Sequence, residues 1–156
     1  MKTLTTIGFL AAALTAHAAF ASPQCHAVRG LIVDVQFTDG CTSPNRFCAA
    51  GTVDGNRNFR GSTEFVMDGA VRGPASAPGT LATSGLLTYT LRDGTLVVRE
   101  SGLSGLQQDG EKRFTAFQQV QSGSGRYAGA SGHFYVLGQA FADHFEAEIQ
   151  GEICTP

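Results

Sequence analysis

The residues able to do chemistry are few and scattered. Glu100 follows the apolar run Leu96-Val97-Val98, His133 precedes Phe134 and Tyr135, and Glu146 and Glu148 share one strand face. A carboxylate or imidazole held among apolar neighbours loses hydration, so its pKa moves and it can pass a proton near neutrality. Glu100 and His133 are therefore the candidate acid–base groups. If Leu96 and Val98 point inward, Glu100 shares their face and enters an interior. The competing reading puts Glu100 at a strand end, reaching solvent or a nearby arginine, and the balance favours that rim position. Glu146 and Glu148 lie on a wholly polar face with His144, Gln150 and Glu152, which reads as a solvated wall.

No catalytic motif backs these residues. "GLSG" and "GASG" are not the G-x-S-x-G elbow of a serine hydrolase. The H-E-x-x-H pair of a zinc protease is absent. The glycine-rich stretch "SGSGRYAGASG", residues 122–132, has the spacing G-x-G-x-x-x-G and runs into the β-like "HFYVLGQAF". A dinucleotide loop needs G-x-G-x-x-G opening a helix, whose N-terminus holds the pyrophosphate. The stretch therefore reads as a hairpin turn at Gly123–Gly125, with Gly129 and Gly132 relieving crowding or bending the next strand. Cys25, Cys41, Cys48 and Cys154 contain no C-x-x-C pair, and the histidines are scattered, so no zinc site is expected. No cofactor is expected either.

The chain opens on "MKTLTTIGFLAAALTAHAAFA", with Lys2 before an Ala-rich apolar run and Ala19-Phe20-Ala21 as a cleavage site. Residues 1–21 thus read as a signal peptide cut before Ser22, and the protein as secreted or periplasmic. The run falls short of the ~20 apolar residues of a membrane anchor. Residues 22–156 form one domain of about 135 residues, enough to bury a core. Removing Lys2 from the 11 basic residues leaves ten against 13 acidic ones, a net charge near −3. That balance, with no basic run, argues against nucleic-acid binding and against docking on an anionic membrane.

In an exported chain, four cysteines point to two disulfides. Cys41 and Cys48 bracket the turn-rich "TSPNRF" and are expected to pair, leaving Cys25 with Cys154. Asp-Gly occurs at Asp39-Gly40, Asp54-Gly55, Asp68-Gly69, Asp93-Gly94 and Asp109-Gly110, and this dipeptide suits tight hairpin turns. Between these signals lie alternating segments such as "LLTYTLRDGTLVVRES" and "HFEAEIQGEI". Strands are expected near 27–37, 48–53, 57–67, 80–92, 95–103, 112–121, 127–138 and 143–153. The fold class is all-β, an eight-stranded antiparallel up-and-down barrel, with a Greek-key sandwich as the alternative. Barrel closure sets the first strand beside the last and would bring Cys25 to Cys154.

The segment "GSGRYAGASG", followed by a strand and a late "GEI", resembles the G-x-G-x-Y-x-G-A-x-G hairpin of the allene oxide cyclase and dirigent-like families. These are calycin-type eight-stranded barrels. The stretch "CTSPNRFCAAGTVDGNRNFRGSTEF" is also similar to the front half of small exported bacterial proteins sharing that hairpin. The resemblance implies a barrel cavity for hydrophobic molecules and, in the enzymes, ring closure or radical coupling; none of their catalytic residues matches here. A small hydrophobic molecule is the expected partner, lined by Tyr89, Phe114, Phe134 and Tyr135. Two alternatives stand beside a binding module. One is a cyclase or isomerase using Glu100 or His133, and the other a filled barrel acting through surface loops as an adhesin or inhibitor.

Overall fold

Among the described residues eight antiparallel strands follow one another around a closed barrel, as the alternation and turn spacing predict. The computed structural model describes residues 22–106 and 112–156. The expected leader and the Asp109-Gly110 turn lie outside the described residues. The strands are β1 Gln24–Phe37, β2 Cys48–Gly55, β3 Arg60–Arg72, β4 Thr80–Leu91, β5 Gly94–Leu106, β6 Lys112–Gly123, β7 Ser131–Ala140 and β8 Phe145–Thr155. Each pairs with the next, and β8 returns to β1. Closure sets Cys25 directly opposite Cys154, and the two are disulfide-bonded. Cys41 and Cys48 form the second bridge.

Alternation makes the wall. In β8, Ala147, Ile149 and Ile153 are buried while Glu146, Glu148 and Glu152 face solvent. In β4 and β5, Leu87, Tyr89, Leu91, Leu96 and Val98 are buried on the inner face. Asp39-Gly40 lies within the long 38–47 connection rather than a tight hairpin, and two further Asp-Gly pairs do not act as the expected turns. Asp54-Gly55 ends β2 while still paired, and the turn is made by the next residues, with Arg57 and Asn58 in left-handed backbone (φ 51° and 65°). Asp68-Gly69 sits at a bulge between Met67 and Gly69, which lets β3 run on to Arg72 rather than stop at Met67. At the β4–β5 connection the turn residues are Arg92 and Asp93, with Gly94 (φ 146°) opening β5 opposite Leu91.

The glycine-rich stretch closes one end of the barrel. Gly125–Tyr127 forms a 3-10 turn rather than a simple hairpin, so β7 begins at Ser131 instead of near Tyr127. Gly125 needs its left-handed backbone (φ 58°), and a Cβ there would stand 2.3 Å from the Asp93 carbonyl oxygen. The Arg126 amide donates to that same carbonyl at 2.8 Å, pinning the turn to the β4–β5 connection. Tyr127 is thereby tucked inside, 6 % exposed. Phe59, from the β2–β3 connection, packs against Tyr89 and Phe134 with ring centroids 5.0 and 5.6 Å away. Leu91, Leu96 and Ile153 complete this plug. Burying each such side chain contributes about 1.5–3 kcal/mol.

Candidate binding cavity

Among the described residues the opposite end is open. Here the connections 38–47, 73–79 and 141–144 leave a cavity of about 880 Å³ between the walls. Ile32, Phe47, Phe65, Phe114, Val136 and Phe145 line it. Four of these rings form a collar, Phe47 standing edge-on to Phe65 and Phe145 at 6.3 and 5.8 Å, and Phe145 edge-on to Phe114 at 6.4 Å. The wall makes room for two of them with glycine. A Cβ on Gly138 would lie 2.2 Å from the Phe114 ring, and one on Gly85 would lie 2.5 Å from the Phe65 ring.

Phe47 comes from a connection, not a strand, so something must hold it inward. The Cys41–Cys48 bridge closes that loop, and the Ser43 hydroxyl donates to the Met67 carbonyl at 2.5 Å. The Met67 amide donates back to the Phe47 carbonyl at 3.1 Å. Cys48 and Ser43 are both buried, so this disulfide positions a cavity wall as well as tying a loop.

Polar groups gather at the floor. Tyr89 donates to Gln118 Oε1 at 2.7 Å, and Gln118 Nε2 donates to Glu100 Oε2 at 2.6 Å. On the β1 side, Thr63 donates to Asp34 Oδ1 at 2.5 Å. That contact crosses the position of Gly51, where a Cβ would come within 2.6 Å of Asp34 Oδ1. Asp34, Glu100 and Gln118 all line the cavity.

Burial pushes the Glu100 carboxyl above its ordinary range; Gln118 opposes the shift and the charge of Asp34 adds to it. Burial likewise raises Asp34, with Thr63 opposing. Burial, then the charge of Glu100, holds the Tyr89 phenol far above its usual value. Tyr89 therefore stays a donor, and this fixes which end of the Gln118 amide meets Glu100. The floor presents two carboxyls braced by neutral donors, each able to donate when protonated or accept when ionised.

The expected site residues fall into three places. Phe114 and Glu100 line the cavity. Glu100 is not at a strand end, because β5 continues to Leu106 and carries it inside. Tyr89 and Phe134 are fully buried in the plug beneath, and Tyr89 reaches the site only through Gln118. Tyr135 and His133 are on the outer wall rather than inside, where they meet Phe117 at centroid distances of 5.5 and 5.9 Å. Phe134 and Val136 take the inner face of β7, and alternation sends their neighbours out. Sequence reasoning missed Asp34 and Gln118. The available clue was that Asp34 shares a face with Val28 and Ile32, and Gln118 with Phe114 and Ala116.

No protein-family model matches this chain, and no curated protein matches it either. The likeness to the cyclase and dirigent-like barrels therefore rests on the hairpin residues alone.

Proposed function

We propose that this barrel is an exported protein that binds one small apolar or amphipathic molecule in its open end. The supporting observation is the cavity of about 880 Å³ walled by four phenylalanines, a size suited to drug-sized ligands. Such an interior counts against the reading of a filled core acting only through loops. Native mass spectrometry of the protein purified from its source tests the proposal, with a retained small molecule as the expected result. In parallel, the neutral dye N-phenylnaphthylamine should bind the emptied barrel saturably, one per chain. Ala116→Phe, which places a ring beside Phe114, should abolish that binding while the fold is kept. A clean apo mass with no saturable dye binding would sink the proposal.

A second reading has one observation behind it. Glu100, whose carboxyl burial pushes above its ordinary range, lines the cavity where it can donate a proton to a ligand and so serve an isomerase or cyclase. Conversion of a retained molecule to a product of equal mass, lost in Glu100→Gln without loss of binding, would select that reading.

A further inference from the structure

The cavity floor is more specific than its apolar walls, and this inference rests on the reading that the cavity holds a ligand. We propose that the ligand is an amphipathic amine, inserted with its ammonium group toward the cavity carboxyls Asp34 and Glu100 and its apolar body within the phenylalanine collar. Two independent features point there, a roomy aromatic cavity and the two carboxyls that line it from opposite walls of the barrel, Asp34 in β1 and Glu100 in β5. The donors bracing the pair are neutral, Thr63 and Gln118. Among the described residues neither carboxyl forms a salt bridge. The cations that line the cavity stand at its mouth. Lys112 and Arg113 begin β6, and Lys112 lies six residues, roughly 20 Å of strand, from the Gln118 that holds Glu100. His144 sits in the 141–144 connection, its ring nitrogens engaged by Asp143 at 2.7 Å and Glu146 at 3.3 Å.

An anionic head group would meet two carboxyls, and among the described residues the only cations lining the same cavity are Lys112, Arg113 and His144 at its mouth. A neutral hydroxyl would donate one hydrogen bond to a carboxylate and leave its charge unpaired. An ammonium supplies three donors and pairs the carboxylate charge, and charge-assisted hydrogen bonds are about twice as strong as neutral ones.

The test uses three probes with one alkyl chain and different heads, decylamine, decanol and decanoate, titrated into the full-length mature protein at neutral pH. Displacement of N-phenylnaphthylamine reports each affinity. The amine should bind about tenfold tighter than the alcohol, and decanoate weakest. In Asp34→Asn/Glu100→Gln, which keeps both bracing hydrogen bonds, the amine should fall to the affinity of the alcohol. Equal affinities, or a preference for decanol or decanoate, would overturn the amine assignment while leaving the cavity reading intact. Failure of all three probes and of the dye would overturn both. The head-group series on the unaltered protein decides the matter even if the double variant folds poorly.

Discussion

The two ends of this barrel are built from the same alternating strands and differ almost wholly in what their connections do. At the terminal end the 56–59 and 124–130 connections turn inward, packing Phe59 on Tyr89 and Phe134 and burying Tyr127. At the other end a disulfide and the Ser43–Met67 hydrogen bond hold the 38–47 connection against β3, so that it walls the interior without filling it. One end is a core and the other a container. Strand pattern decides that a barrel forms, and connection chemistry decides which end stays open.

The disulfides give the largest way to test that division. Cys25–Cys154 spans 129 residues and Cys41–Cys48 spans 7. Loop-closure entropy then assigns about 5 kcal/mol to the first and about 2 kcal/mol to the second. Denaturant unfolding of the paired Cys→Ser variants should show that order. Dye binding should show the reverse, with Cys41→Ser/Cys48→Ser losing more affinity because Phe47 is released. If both variants lost stability and binding in the same proportion, the ends would not be distinct.

Paired truncations sharpen the contrast at the next scale. Phe134→Ala removes a fully buried ring from the plug and should cost about 3–5 kcal/mol. Phe114→Ala removes a ring that already borders open space, so it should cost roughly 1 kcal/mol while weakening dye binding. Urea midpoints with an unchanged m-value would check both. A loss from Phe114→Ala as large as that from Phe134→Ala would show that the open end is packed after all.

How much of this was legible depends on whether a strand is apolar on one face or on two. The one-faced strands were readable. "HFEAEIQGEI" carries its charges outward and "LLTYTLRDGTLVVRES" all but Glu100, so their inner faces and the closure of the barrel that sets Cys25 beside Cys154 followed. In β1 and β7 both faces are apolar. Leu31, Val33 and Val35 oppose Ile32 and Asp34, and Tyr135 and Leu137 oppose Phe134 and Val136, with Val35, Tyr135 and Leu137 ending half-exposed. A slip of one residue exchanges the faces completely. That single ambiguity hid Asp34 and sent Tyr135 and His133 to the wrong side. Glu100 was placed correctly by alternation and misjudged only by where its strand was taken to end.

The smallest expected effect is a pH dependence that the open end should show and the plug should not. In the plug, Tyr89 stays protonated across the carboxylate range and contributes nothing there. At the floor, Asp34 is raised above its ordinary value of 3.8 by burial. A carboxyl raised on folding favours the protonated native state. Its contribution is therefore fully present below the ordinary value and is lost as pH climbs through the raised one. Exposed Asp68 and Asp143, held low by Arg99 and His144, carry the opposite sign, so the total curve mixes the two. Asp34→Asn isolates the floor, because the amide oxygen can still accept from Thr63. Urea midpoints taken across the carboxylate range should show the two proteins offset by a constant at low pH, with the unaltered protein falling steadily behind above it. A gap that stays constant with pH would mean that Asp34 is as well hydrated as a surface carboxylate. The cavity floor would then lack the low-dielectric setting that separates it from the barrel's outer wall.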